Sequence, residues 1–440
     1  MSRRQTVSWK HRWTFIMAAT GSAVGLGNIW KFPYIAGEYG GGAFVLVYLG
    51  CILAVGIPVM MAEVMLGRAG RADPVHTMGG LAGAIGAHRH WHLLGMMGVL
   101  TGLLIMMFYS VVAGWALSYV LTSASGSYAG ADAATIDANF TALRTNSGAQ
   151  LVWHSAFVIM TAAVVAGGVT RGIGRAVETL MPLLFVLLLV VLGYSWAQGD
   201  FAAGMHFLFD MDFSRLNGKA LLVALGHAFF TLSLGMGAIM TYGAYMPGRA
   251  SIASTVLTIA ALDTLIALIA GMAIFPLVFA NGLPPSKGPG LLFISLPIAF
   301  ANMSGGLAFG AVFFLLVSIA ALSSSISLIE PGAAWLERRG IKRGYAAAGL
   351  ATITWLGGVA CIFWGVVFDA LDAITARYML PLGGLLIAIF AGWVMPDSRV
   401  MQEMAMKSPA LYRIWRVTLR FVSPAGILLI FIALLYFGEL

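Results

Sequence analysis

Apolar runs of about 20 residues or more return eleven times along this 440-residue chain, and that repetition constrains the fold more than any other feature. A bilayer's hydrocarbon core is about 30 Å thick, so roughly 20 helical residues cross it, and only helices or closed barrels satisfy their own backbone groups inside it. The runs fall near 13–37, 42–68, 92–124, 151–169 and 172–198, then 217–246, 252–281, 306–337, 344–366, 369–395 and 410–437. They predict an all-α membrane protein of eleven transmembrane helices in a single polytopic domain, 1–440. Charged residues are only 10% of the chain, against roughly 25% in a soluble domain, so no soluble domain is left over. The basic start MSRRQTVSWKHRW runs into the first span without a small-residue cleavage site, which reads as a membrane helix rather than a signal peptide. Cys51 and Cys361 lie within apolar runs and read as small hydrophobes.

Lys and Arg accumulate on cytoplasmic loops. With the N-terminus inside, all but six of the 25 fall on the inner side; the six are Lys31, Arg144, Arg215, Lys219, Lys287 and Arg377. An odd number of spans then puts the C-terminus outside. The net charge of +8 follows from this topology, and with no aromatic-interleaved basic patch the partner to expect is the lipid bilayer, not nucleic acid. No pattern sets an oligomeric state. The outer connections near 125–150, 199–216 and 283–305 are rich in Gly, Ser, Asp or Pro and are expected to cover an outward vestibule.

Two spans carry internal breaks. The first contains Gly21-Ser22-Ala23-Val24-Gly25-Leu26-Gly27-Asn28 and the sixth Thr231-Leu232-Ser233-Leu234-Gly235-Met236-Gly237. Glycine costs about 1 kcal/mol in a helix interior, so paired G-x-G sequences near the midplane of spans 1 and 6 predict local unwinding. Unwinding frees backbone groups in a dry site, where N–H groups can hold a carboxylate and carbonyls a cation. The competing use is packing, since Gly21-x-x-x-Gly25 also lets two helices approach closely.

Glu63 and Asp263 sit in otherwise apolar spans, where an unpaired charge costs at least about 2.5 kcal/mol, so each needs a partner or a function. Asn28, Thr231, Ser233 and Asp263 offer a set of hard oxygens, which favours an alkali cation over a transition metal and leaves H⁺ open as the coupling ion. The run Ser323-Ser324-Ser325 in span 8 offers a second cation site, although helix serines commonly bond back to their own carbonyls. Tyr109 in span 3 could donate to a substrate carboxylate or simply pack. His11, His76, His88, His90 and His92 lie near basic inner segments and show no metal-site spacing.

The strings GSAVGLGNIWKFPYIAGEYGGGAF, FFTLSLGMGAIMTYGAY and ALSSSISLIEP together resemble the neurotransmitter:sodium symporter family, bacterial amino-acid branch, over essentially all eleven spans. The resemblance implies two inverted five-helix repeats, 1–198 and 217–395, plus an extra helix at 410–437, in a bacterial inner membrane. It implies two co-transported sodium ions, the first held by Ala23, Asn28, Thr231 and Asp263 with the substrate carboxylate, the second by Gly21, Val24, Ala320, Ser323 and Ser324. An amino acid would lie between them, its carboxylate near Tyr109, Gly25, Leu26 and Gly27 and its ammonium near carbonyls of Ala23, Phe230, Thr231 and Ser233. The side-chain pocket would include Ser22, Ile105, Phe230, Met236 and Leu328. Phe230, Lys31 and Asp372 would form the outer gate, Trp9 and Tyr245 part of the inner gate, and Glu63 would brace the unwound part of span 6.

Three departures from the family pattern carry weight. Monoamine carriers have an aspartate where this chain has Gly25, which implies a substrate bringing its own carboxylate. Chloride-dependent members have Gln, Ser and Asn at the places of His227, Ala267 and Asp263; Asp263 would supply the negative charge itself, so no chloride is expected. The usual inner-gate charges align with Thr6 and Arg338, and Arg3 or Arg4 with Glu337 are candidates to replace them. Arg377 has no assigned counterpart. The expected function is sodium-coupled, chloride-independent symport of a neutral, hydrophobic or aromatic amino acid. Its alternatives are proton coupling on the same fold, or a non-transporting membrane receptor. A channel would need a pore-lining polar stripe and an enzyme an activated nucleophile or metal cluster, and the sequence offers neither.

Overall fold

The computed structural model describes residues 8–284 and 290–437, so Arg3, Arg4, Thr6 and Lys287 lie outside the described residues. Nine continuous helices are long and apolar enough to cross a membrane, from Gly42–Gly70 (span 2) to Pro409–Ala433 (span 11). Two more spans are each split: span 1 into Arg12–Ala23 and a second half made of a π-helical turn, Gly27–Lys31, and Phe32–Glu38; span 6 into Gly218–Thr231 and Ala238–Tyr245. Among the described residues the count is therefore the eleven that the apolar runs predict, and none forms a named strand.

Span 8, Gly306–Arg338, is the central post, and most of its apolar window is buried inside the protein. Span 3 packs along it and span 4 along span 9, the self-paired contacts that a two-fold relation between spans 1–5 and 6–10 produces. Small residues make the close approach: a Cβ on Gly102 of span 3 would stand 2.7 Å from the Leu328 carbonyl oxygen of span 8. That contact brings Tyr109, two turns further along span 3, to the level of the break in span 1. Spans 5 and 11 turn large apolar side chains outward, including Val186, Leu189, Leu428 and Leu429, as lipid-facing helices do.

The outer connections differ from their loop-like composition. Each contains a helix: Ala133–Thr145, Phe201–Phe209 and Leu296–Asn302. The first two are started by aspartate caps, Asp132 accepting from the Thr135 N–H and Asp200 from the Ala203 N–H. The same residues that look like loop formers in composition act locally as helix N-caps.

Candidate functional site

Both breaks open at one level. In span 1 the helix stops at Ala23, and Val24 takes an extended conformation (φ −75°, ψ 106°) before the chain resumes at Gly27. In span 6 three residues between the half-helices have positive φ: Ser233 (55°), Gly235 (80°) and Gly237 (73°). Ser233 is the costly one, since a side chain in the left-handed region costs roughly 1–2 kcal/mol. Its hydroxyl recovers part of this by donating to the Ser22 carbonyl at 2.8 Å, which ties the two breaks together. Fully buried Glu63 accepts the Gly235 N–H at 3.3 Å, so a carboxylate from span 2 braces the unwound turn.

Beside the breaks lie two oxygen-rich clusters. In the first, Asn28 donates to Asp263 Oδ1 at 2.7 Å and to Thr231 Oγ1 at 3.1 Å, and the Thr231 hydroxyl reaches both Asp263 oxygens, at 3.0 and 3.1 Å. All three side chains are buried. In the second, the Ser324 hydroxyl stands 3.1 Å from the Val24 carbonyl and 3.3 Å from those of Gly21 and Ser22. One hydroxyl proton serves one carbonyl at a time, so this cluster holds oxygen lone pairs in excess of donors, as a cation shell requires. Ser323 instead bonds back to Ala320 at 3.0 Å, and Ser325 to Leu322 at 2.8 Å. Of the three serines, Ser324 is the one that crosses to span 1. Among the described residues no group of three or more His, Cys, Asp or Glu is placed to hold a metal ion.

Between the clusters is a cavity of about 30 Å³. Ser22, Ala23, Gly25, Leu26, Gly27 and Asn28 line it from span 1, Ile105 and Tyr109 from span 3, and Phe230, Thr231, Ser233 and Met236 from span 6. Ser324, Ser327 and Leu328 come from span 8 and Leu380 from span 10. The Leu26 N–H donates to Tyr109 Oη at 3.5 Å, so a phenol and a backbone amide converge on one spot. Gly25 has no room for a side chain: its Cβ would stand 2.6 Å from Ser324 Oγ and 3.0 Å from Tyr109 Oη. The opposite wall of Phe230, Met236, Ile105 and Leu328 is apolar.

Sequence reasoning missed Ser327 and Leu380. Ser327 carried a signal, lying three residues beyond Ser324 on the same helical face; it accepts the Ser22 hydroxyl at 2.8 Å. Leu380 carried none. Span 10 reaches the site because Gly383 lies against the backbone of Gly235, where a Cβ would come within 2.5 Å of the Gly235 carbonyl oxygen.

Above the cavity Lys31 Nζ stands 5.1 Å from the centre of the Phe230 ring. Asp372 and Arg377 are the charged groups that act on Lys31, yet Lys31 and Asp372 form no ion pair among the described residues. In this structure the Lys31 ammonium meets the Phe230 ring, with Asp372 close enough to act on its charge. Arg377, which had no assigned counterpart, stands on the same side.

Below, Trp9 is buried, its indole N–H donating to Val169 O at 3.1 Å and its backbone N–H to Tyr245 O at 3.0 Å. Its ring meets Tyr242 and Tyr245 edge-on at 5.4 and 5.5 Å. The Tyr245 hydroxyl donates to buried Glu330 at 2.8 Å, Glu330 pairs with Arg343, and Arg343 also reaches Glu337 at 3.2 Å and Val165 O at 2.9 Å. Glu337 therefore has its partner in Arg343. Glu330 is a further acid inside an apolar span, so the argument applied to Glu63 and Asp263 marks it as well.

His227, also buried, has no hydrogen-bond partner on either ring nitrogen among the described residues, and it stacks on Phe32 at 5.8 Å. Ala267 is buried one turn beyond Asp263.

The model of the sodium:neurotransmitter symporter family matches residues 6–135 and 141–437. An uncharacterized sodium-dependent transporter of Bacillus subtilis is 34% identical over 99% of both chains, and another from Haemophilus influenzae matches equally well. The sodium-dependent serotonin transporter of Drosophila melanogaster is 25% identical over 98% of this chain and 77% of its own. Among solved structures, that of MhsT in complex with L-phenylalanine superposes with a TM-score of 0.89 at 41% identity, covering 97% of this chain and 99% of the other.

Proposed function

Because the chain belongs to the sodium:neurotransmitter symporter family, and is a membrane transporter rather than an enzyme, we propose that it couples the inward sodium gradient to uptake of a neutral amino acid with a hydrophobic or aromatic side chain. The observation that carries this reading is the position of the Asn28, Thr231 and Asp263 cluster against a cavity where Tyr109 and the Leu26 amide converge. A substrate carboxylate placed there meets two donors on one side and a sodium ion on the other. Each ligand then raises the other's affinity by the same factor.

Ala23, Asn28, Thr231 and Asp263 would hold the first sodium ion and Gly21, Val24, Ala320, Ser323 and Ser324 the second. Gly25 leaves no space for an aspartate, which supports a substrate that brings its own carboxylate. The apolar wall supports an apolar side chain, and the relative crystallised with L-phenylalanine is in keeping with it. Admitting such a side chain to a cavity of about 30 Å³ requires Phe230, Met236 or Leu328 to swing aside, so loading and opening of the outer gate are one event. Asp263 supplies the fixed negative charge beside the first sodium, which makes chloride dispensable. The protein would sit in a bacterial inner membrane with the N-terminus cytoplasmic and the C-terminus outside, and cycle by alternating access between the halves 1–198 and 217–395.

The test is uptake of a panel of labelled amino acids into proteoliposomes under an imposed inward Na⁺ gradient. Accumulation of a hydrophobic or aromatic amino acid that needs Na⁺ and tolerates gluconate in place of chloride is expected. Accumulation that follows a proton gradient and ignores Na⁺ would overturn the sodium assignments in favour of proton coupling.

A further inference from the structure

Between the short helix Asp397–Met404 and the start of span 11 lies a second cavity, of about 390 Å³, lined by none of the residues assigned to transport. Arg413, Arg416 and Arg420 line it from span 11, at spacings that share one helical face. A single carboxylate, Asp397, answers these three cations, and it is already engaged. Arg416 Nε lies 3.0 Å from Asp397 Oδ1, the Tyr412 hydroxyl donates to the same oxygen at 2.9 Å, and Arg420 Nη2 stands 4.0 Å away. Arg416 and Arg420 also donate to span 10 carbonyls, those of Ala391, Met395 and Gly392. Exposed Arg413 makes no hydrogen bond or ion pair among the described residues. The cavity thus carries surplus positive charge and one guanidinium with its donors open.

The rest of the lining is apolar. Met401, Val417 and Phe421 are about half exposed, and Ile414 continues the same outer surface of span 11. Trp393 packs edge-on against Phe421 at 5.2 Å and faces the Arg420 guanidinium at 5.8 Å, an amphipathic ring of the kind enriched at membrane interfaces. Accumulation of positive charge on inner loops needs only arginines in water; it does not call for three of them on one face of a hollow whose rim opens onto the lipid-facing surface. An occupant of this shape presents an anion to Arg413 and apolar chains to Val417 and Phe421.

We propose that this cavity binds an anionic phospholipid of the inner leaflet, with Arg413 and Arg420 on the phosphate and the acyl chains along Val417 and Phe421. Basic pockets between helices on the cytoplasmic side are suited to such headgroups. The inference is independent of the transported substrate.

Native mass spectrometry of the delipidated full-length protein tests it, titrating phosphatidylglycerol and phosphatidylcholine of identical acyl chains, with inorganic phosphate as competitor. One phosphatidylglycerol should be retained in preference to phosphatidylcholine. With each cation near the headgroup contributing about fivefold, Arg413→Ala should weaken retention about fivefold and Arg413→Glu about 25-fold. Arg339→Glu, on an inner-side arginine that stacks on Trp335, makes the same charge change elsewhere and should leave retention unaltered. Equal retention of the two lipids, or an equal loss in Arg339→Glu, would overturn the site. Full displacement by inorganic phosphate at matched concentration would show that the anion is free phosphate and not a lipid.

Discussion

Replacing Asp263 by Asn gives the sharpest test of how the first ion is held. The substitution keeps the shape and an oxygen that can accept from the Thr231 hydroxyl at about its present 3.0 Å, and it removes the only formal charge in the cluster. A sodium ion shared by Asn28, Thr231 and Asp263 would stand ~5 Å or less from the carboxylate. At an effective dielectric of ~20 the lost attraction is about 3 kcal/mol, or roughly a hundredfold in sodium affinity. The half-saturating sodium concentration for uptake should rise by about that factor, and substrate affinity at fixed sodium should fall with it through linkage. Because neutralising a buried carboxylate also removes its desolvation cost, the sodium-free protein should be no less stable than the parent, which separates lost binding from lost folding.

The assay is uptake into proteoliposomes across a sodium titration, in chloride and again in gluconate, with a thermal melt of the sodium-free protein as the folding control. A second arm adds His227→Gln and Ala267→Ser to Asp263→Asn, the residue types that the family resemblance implies for chloride-dependent members. Transport by the triple variant should recover in chloride and not in gluconate. If Asp263→Asn shifts the sodium requirement by less than about threefold in both anions, Asp263 is not close to the ion and the account of chloride independence falls with it.

Three further outcomes follow from the same geometry. Gly25→Ala would put a methyl 2.6 Å from Ser324 Oγ, so substrate binding measured by scintillation proximity should be lost even at saturating sodium; near-parental affinity would show that the pocket is not where the carboxylate sits. Tyr109→Phe leaves the Leu26 amide without its acceptor and removes a donor to the substrate, at a cost of about 1–3 kcal/mol or roughly 5- to 150-fold in substrate affinity, with sodium binding in the absence of substrate unchanged. Glu330→Gln leaves Arg343 with Glu337 as its one carboxylate, and breaking a buried pair costs about 3–5 kcal/mol, so a cysteine placed beneath the cavity should become more reactive from the inner side; unchanged reactivity would remove Glu330 from the inner gate.

The break in span 1 could be read from Gly21 to Asn28 because glycine is costly in a helix and asparagine is rare in a membrane. The break in span 6 followed from its matching position. Other features left no local mark. Leu380 enters the cavity because span 10 can approach the backbone of Gly235, a consequence of where three helices cross rather than of any polar residue. The outer helices were obscured by composition, since Asp132 and Asp200 read as loop residues until their caps are seen. Lys31 and Asp372 align with a charged gate in sequence, yet which of Phe230 and Asp372 the ammonium meets depends on how far the outer halves stand apart, which no residue pattern encodes.

The two proposed gates differ in how they are bonded. On the proposed mechanism the outer closure includes, among the described residues, the Lys31–Phe230 cation–π contact, worth about 0.5–2 kcal/mol. The inner closure joins Trp9, Tyr245, Glu330 and Arg343 through buried hydrogen bonds and ion pairs that run from span 1 across spans 5, 6 and 8 to span 9. On that mechanism, ligands arriving from the outer side meet this closed floor. Opening the floor requires span 1 to leave span 8, and on the proposed mechanism the second sodium, lying between the Gly21 and Val24 carbonyls and Ser324, holds those two spans together. Loss of that ion to the cytoplasm would remove the tie, leaving the Ser22–Ser327 hydrogen bond and the Trp9 and Tyr245 contacts against separation. Weakening the second site should thus favour the inward-open form even with substrate bound, whereas weakening the first site should lower substrate affinity without that bias.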